Sequence, residues 1–264
     1  MLILCNGMIR SGSTIQYNLV QSLLEEAGVG TGMGFINDKQ DDAADQYERL
    51  CTDSATTAAK AHHRISALDR YGVAGQVRVC ATYRHPLDVA GSAKTKFGWP
   101  WPEILDKMQE GIEVHAWATG LDHAIVQRYE SLVEDLPGAT AELNEKLGLG
   151  LDQEAVRRIA DSHTVEKATQ TAEKLKATAR KRAKLRSAFG RLGLLSAARA
   201  LHHRLPAGLQ LKPPVDAKTN LHHNHISAGG GQPGVSRQQL TQQERDDVVK
   251  RFGAWMARQG YETV

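Results

Sequence analysis

The sequence predicts an α/β fold, a three-layer sandwich in which helices flank a central, mostly parallel sheet, with a helical basic arm attached. Three observations carry this reading. Short apolar runs of strand character alternate with helical patterns over roughly the first 150 residues, the signature of a sheet covered on both faces. A loop of small residues joins the first such run to the first helix. Basic charge is concentrated in one late segment rather than spread along the chain.

The elements follow in order. Leu2–Cys5 is a short apolar run that reads as a buried strand. Asn6–Thr14 is the small-residue turn, and Ile15, Leu19, Leu23 and Leu24 then recur at helical spacing up to Gly28. Residues 29–55 are polar and irregular, with a short helix expected over Asp41–Leu50. Thr56–His63 forms a second strand, and β-branched Val77–Tyr83, bounded by Gly75, is the strongest strand pattern. Pro86 suits the first turn of a helix running to Lys96, and Pro102–Gly120 reads as a longer one. Ala124–Tyr129 is another apolar run, followed by helical patterns to Leu147 and over Asp152–Ser162. A last helix spans Thr241–Gln259, with Thr241 or Ser236 as its cap.

The chain has 264 residues, 41% of them hydrophobic and 24% charged, enough for a real core. A formal net charge of +3 argues against a dedicated nucleic-acid binder. That mean combines two unlike parts. Between Glu166 and Lys212 twelve Lys/Arg face two Asp/Glu, while the remainder is net acidic. A single domain over 1–264 with a basic helical insertion at about 166–212 is therefore expected. Cys5, Cys51 and Cys80 are odd in number and form no CxxC pair, which suggests neither a disulfide framework nor a zinc site. Buried thiols of this kind fit a reducing, cytoplasmic setting. No signal peptide and no membrane span are expected.

The chemistry begins in Gly7–Thr14, which reads Gly-x4-Gly-Ser-Thr after a strand and before a helix. Small residues let successive backbone amides curl around an anion, and the helix N-terminus adds partial positive charge. Nucleotide triphosphatases place Lys after the second Gly of such a loop. Ser13 stands there instead, and the cation has moved to Arg10. That substitution disfavours cleavage of ATP or GTP.

Arg10-Ser11-Gly12-Ser13-Thr14 resembles the 5′-phosphosulfate loop of the sulfotransferases. Tyr83-Arg84-His85-Pro86-Leu87-Asp88-Val89-Ala90-Gly91-Ser92 is similar to that family's 3′-phosphate segment, with a Ser eight residues after the Arg. Arg128-Tyr129-Glu130-Ser131-Leu132 and the terminal helix add weaker likenesses. The resemblance implies a P-loop-type fold and transfer of a sulfuryl group from 3′-phosphoadenosine-5′-phosphosulfate (PAPS) to a hydroxyl or amine. The product is adenosine 3′,5′-bisphosphate (PAP), and no metal is required. It implies that Arg10, Ser11, Gly12, Ser13, Thr14, Arg84, Ser92 and Tyr129 bind the donor. It makes Arg10 the cation at the leaving phosphate.

Lys60-Ala61-His62 resembles the family's Lys-x-His segment, in which His takes the acceptor proton and Lys helps hold the sulfuryl group. His62 and Lys60 are thus further catalytic candidates, with Asp38, Asp41 and Asp42 as alternative carboxylate bases. The family's Arg-Lys-Gly run is missing near Gly229–Gly234, where Arg237 or Lys218 can substitute. Three His within Leu221–Ser227 lack a companion Cys or carboxylate cluster, so no metal site is expected. Trp99-Pro100-Trp101 can line an acceptor mouth or anchor the core.

The arm's apolar stripe (Leu175, Ala179, Ala183, Leu185, Phe189, Leu192, Leu195) is flanked by Lys and Arg. Three readings stay open: a solvated helix packing on the body, peripheral contact with an anionic membrane through residues 174–204, or a grip on an acidic acceptor. A carbohydrate or glycolipid acceptor at the cytoplasmic membrane face suits the second. Two other functions compete, a P-loop kinase or NTPase and a non-catalytic nucleotide-binding protein at a membrane surface. Oligomeric state carries no sequence signal.

Overall fold

The computed structural model describes residues 1–36, 43–65, 68–73, 75–191 and 230–263. Five strands form one parallel sheet: β1 (Leu2–Asn6), β2 (Gly30–Phe35), β3 (Thr56–Ala61), β4 (Val77–Tyr83) and β5 (Ile125–Arg128). Their order is β2-β3-β1-β4-β5. The chain leaves β1 and places its next partners on opposite sides, so the sheet divides at the carboxyl end of β1. Parallel sheets bind ligands at such a switch point.

Register aligns Cys5 with Lys60 of β3 and with Cys80 of β4, and Cys80 with Ile125. Alternation along β1 then feeds two cores. Leu2 and Leu4 join Tyr47, Cys51, Val77 and Val79 on one face. Ile3 and Cys5 join Tyr17, Leu19, Leu23 and Leu24 on the other.

Helix α1 (Ser13–Glu26) supplies those last four residues. Helices α2 (Ala43–Thr52), α3 (Asp69–Val73), α4 (Pro86–Phe97) and α5 (Trp101–Thr119) follow. Pro86 opens α4 and the His85 ring accepts the Leu87 amide at its N-terminus. The Ala124–Tyr129 run ends as a strand at Arg128, and Tyr129 starts α6 (Tyr129–Glu134). Then come α7 (Leu136–Leu147), α8 (Gln153–Ser162), capped by Asp152, and α9 (Val165–Arg191). The final helix, α10 (Gln242–Arg258), is closed by a capping box: the Glu244 amide donates to the Thr241 hydroxyl, and the Thr241 amide to the Glu244 carboxylate. Ser236 opens a short 3-10 turn, Ser236–Gln239. A third core forms where Leu87, Ala90 and Ala93 of α4 meet Ile104 and Met108 of α5 and Phe252 and Met256 of α10.

One expectation fails. Residues 30–35 are not irregular; they form the edge strand β2. Strand propensity is poor in Gly-Thr-Gly-Met-Gly-Phe, which is why the sequence conceals it. Close approach explains the glycines. A Cβ on Gly30 would lie 2.1 Å from the Thr56 carbonyl oxygen, and one on Gly32 2.3 Å from the Tyr17 hydroxyl. The Tyr17 hydroxyl in turn accepts the Gly34 amide at 2.8 Å.

The chain divides into two compact units, Met1–Thr164 with Gly231–Val264, and Val165–Gly230. In the second, α9 is a basic helix with Lys174, Arg180, Lys181, Lys184 and Arg191 exposed. Lys218, the histidines of 221–227 and the carboxylates Asp38, Asp41 and Asp42 lie outside the described residues. No described helix is long and apolar enough to cross a membrane.

Candidate active site

The Gly7–Thr14 loop leaves β1 and turns into α1. Gly12 holds φ +86° there, and a Cβ on it would strike the Tyr129 ring at 2.6 Å. Only glycine satisfies both conditions. Among the described residues no side chain caps α1, which suits its N-terminus to an anion. Arg10 is left-handed as well, with φ 61°. Such backbone costs of order 1 kcal/mol in a non-glycine residue, and cases cluster at functional sites.

Three predicted cations converge on this loop. Lys60, at the end of β3, is buried and its ammonium donates to the Thr14 hydroxyl at 2.6 Å. Burial, with Arg10 nearby, pushes Lys60 down to about 8. Arg10 Nε donates to the Ser92 hydroxyl at 2.9 Å, tying the loop to α4. Burial and the Arg84 guanidinium bring Arg10 down to about 10. Arg84, just past β4, lies over the Tyr129 ring at 4.2 Å and donates to the Arg10 carbonyl at 3.3 Å. Its Nε is buried without a hydrogen-bond partner.

Among the described residues a single buried carboxylate stands with them. Asp88, fully buried, lies 3.9 Å from Arg84 and accepts the Gly234 amide at 2.8 Å, the Arg237 amide at 3.1 Å and the Arg237 guanidinium at 3.3 Å. Burial pushes its carboxyl up, but the Gly234 amide and Arg237 together outweigh that and hold it below the usual range. Tyr129 adds a second fastening, donating from its hydroxyl to the Gly231 carbonyl at 2.6 Å. Buried cations thus outnumber buried carboxylates here. An orphaned guanidinium nitrogen and a glycine cradle beside them fit an absent anion.

His62 lies beyond Lys60. Its Nδ1 is 2.9 Å from the Gly7 carbonyl, which can only accept, so Nδ1 carries the proton and Nε2 keeps a lone pair. Burial, then the Lys60 charge, push His62 down to about 3. The Phe35 ring lies 5.8 Å away. His63 turns elsewhere and meets Glu110 at 3.4 Å.

Two predicted residues have other duties. The Ser11 hydroxyl is buried and donates to the Met8 carbonyl at 2.7 Å, with Thr82 Oγ1 at 2.8 Å, so it pins the loop from inside. The Arg237 guanidinium is engaged by Asp88. Ser13 opens α1, the Thr14 hydroxyl receives Lys60 and the Ser92 hydroxyl receives Arg10. Asp88 and Lys96 were not expected. Each was signalled by helical spacing, Asp88 four residues after Arg84 and Lys96 four after Ser92. Lys96 is pushed down to about 7 by burial, then by Arg10 and Lys60.

No family model matches the chain, and neither does any curated protein sequence. Solved structures do. A crystal structure of retinol dehydratase with androsterone and the inactive cofactor PAP aligns at TM-score 0.55 and 16% identity, over 97% of this chain and 80% of that one. Another, of retinol dehydratase with retinol and PAP, aligns at 0.56 and 14%, over 97% and 81%. Mouse sulfotransferase SULT7A1 complexed with PAP aligns at 0.57 and 13%, over 97% and 83%. At such identities the likeness speaks to the fold. Five parallel strands flanked by helices, with the Gly7–Thr14 loop at the tip of β1, give this chain the P-loop-type α/β fold of the sulfotransferases.

Proposed function

We propose that the chain is an enzyme that transfers a sulfuryl group from PAPS to a hydroxyl or amine. The observation that carries this reading is the set of cations, buried Lys60 and Arg84 with half-buried Arg10, converging on an anion cradle where Asp88 is the one buried carboxylate among the described residues. Structures of the same fold hold PAP.

PAPS supplies an activated sulfuryl group; a sulfur–oxygen bond to the acceptor forms as the one to the 5′-phosphate breaks. This chain's residues do the rest. Amides of Gly12, Ser13 and Thr14 bind the 5′ end. Arg10 neutralises charge growing on the departing phosphate oxygen, and Lys60, braced on Thr14, lies against the moving group. Arg84 and Ser92 read the 3′-phosphate, while Asp88 and Arg237 hold the Gly231–Gln239 segment beside them. The Tyr129 ring orients Arg84. His62 Nε2 takes the acceptor proton. An anion at Lys60 and Arg10 offsets the part of the shift that those charges cause, while burial, the larger cause, still favours the neutral ring with its free lone pair.

The kinase reading meets two obstacles: Ser13 replaces the phosphate-binding lysine, and the Lys60 ammonium occupies the Thr14 hydroxyl. A carbohydrate or glycolipid acceptor at an anionic membrane face on the cytoplasmic side is the finer reading. It is supported by the exposed basic face of α9, within the 174–204 stretch. Thermal shift with PAP against ATP plus magnesium tests the core of it. Stabilisation by PAP alone is expected. A response to ATP alone, or to neither, would sink the reading.

A further inference from the structure

Arg84 is placed by more than its own contacts. His85 follows it and opens α4, and two consecutive residues at the start of α6 grip the pair. The Tyr129 ring lies 4.2 Å from the Arg84 guanidinium. Glu130, the next residue, accepts the amide of the Arg84–His85 peptide through Oε1 at 3.1 Å. Ring and carboxylate thus hold both the guanidinium and the backbone that carries it.

The other carboxylate oxygen faces the C-terminal segment. Glu130 Oε2 accepts the Tyr261 hydroxyl at 2.9 Å and Arg128 Nε at 3.3 Å, and the Arg128 guanidinium lies 4.0 Å over the Tyr261 ring. His85 adds a second tie to that segment. Its Nδ1 accepts the Leu87 amide, so Nε2 carries the proton and donates to the Glu262 carbonyl at 3.2 Å. Segments far apart in sequence therefore converge on the one peptide bond that follows Arg84.

A carboxylate close to an anion-reading guanidinium would compete with the anion. Glu130 avoids this, because its charge is taken up by Arg128 and its oxygens by an amide and a hydroxyl. It can fix the turn without neutralising Arg84.

We infer that Glu130, braced by Tyr261, is a positioning residue that aims the Arg84 fork and so sets selection for a nucleotide bearing a 3′-phosphate. This rests on Arg84 reading that phosphate, as proposed above. The plain alternative is a staple that only holds the C-terminal segment to the sheet, whose loss would weaken every nucleotide alike.

PAP and adenosine 5′-monophosphate (AMP), which lacks only the 3′-phosphate, separate the two. Each is titrated calorimetrically into the full chain. The wild type should bind PAP about tenfold or more tightly than AMP. Glu130→Met keeps the length of the side chain but accepts nothing; it should cut that ratio to about threefold or less and leave AMP affinity within about twofold. Glu130→Gln keeps an oxygen for the His85 amide and a donor for the Tyr261 hydroxyl, so it should hold the ratio within about twofold of wild type. Tyr261→Phe, which removes the brace and leaves Glu130 in place, should lower the ratio by about twofold or more. Equal losses of both nucleotides in Glu130→Met, or an unchanged ratio in either Glu130→Met or Tyr261→Phe, overturns the inference and leaves sulfuryl transfer standing. A wild type that binds PAP no more tightly than AMP removes the 3′-phosphate reading of Arg84, and the inference with it.

Discussion

The Lys60 ammonium lies 2.6 Å from the Thr14 hydroxyl, joining the end of β3 to the first turn of α1. A lysine that burial and Arg10 have pushed down to about 8 is charged at neutral pH but loses its proton soon above it. Anions bind the charged form. PAP affinity should therefore be full below about pH 8 and fall as pH rises through that value, by up to about tenfold per unit. Calorimetric titration between pH 7.5 and 9.5 measures this, above the second ionisation of the phosphates. Lys60→Arg should flatten the curve. An unchanged slope in that variant would show that Lys60 does not face the donor.

Arg10 separates stability from activity. Its left-handed backbone and its proximity to Arg84 both cost the folded state. Arg10→Gly relieves both but gives up the bond to Ser92, so its midpoint in urea should stay close to that of the wild type. Turnover should nevertheless fall by about 10²-fold or more, as for loss of one charge-stabilising group. A variant that is both less stable and fully active contradicts the assignment.

Arg84 and Asp88 should fail differently. Arg84→Lys keeps charge but loses the planar fork over Tyr129. It should raise the donor KM by about tenfold or more, with a smaller effect on kcat. Asp88→Asn leaves Arg84 and Arg237 without their carboxylate and should lower stability by about 3 kcal/mol. Asp88 is held below the usual carboxylate range, so its stabilisation is present above its unfolded pKa and is lost as pH falls through the folded value. Urea melts at acidic pH should show wild-type stability declining toward that of Asp88→Asn.

Gly12→Ala meets the Tyr129 ring and a disallowed φ together. A loss of about 2 kcal/mol or more is expected. Removing the ring as well, in Gly12→Ala/Tyr129→Ala, should recover the steric part and leave the backbone part. Full recovery by the double variant would show that φ at Gly12 is not constraining.

The sequence made some of this visible and hid the rest for identifiable reasons. Arg10, Lys60, His62, Arg84 and Ser92 sit in short local motifs at the ends of apolar strands, and their spacing survives folding unchanged. The strand β2 was hidden because its three glycines serve contacts with Thr56 and Tyr17, which are distant in sequence. Ser11 looked like a ligand donor because nothing local announces that Met8 and Thr82 will claim its hydroxyl. Asp88 looked like one more helical acid until the Gly231–Gln239 segment, nearly 150 residues later, closed on it. Lys96 needed the convergence of β1, β3 and α4 before its charge had neighbours.

The three thiols are all free and buried, but they lie on different sides of the sheet. Cys51 belongs to the core beneath α2, whereas Cys5 and Cys80 face each other under α1. A thiol reagent can modify each only when its own layer opens. The rates at which Cys51 and the Cys5–Cys80 pair are labelled therefore clock two openings separately. A ligand seated at the tip of β1 should slow the second clock more than the first.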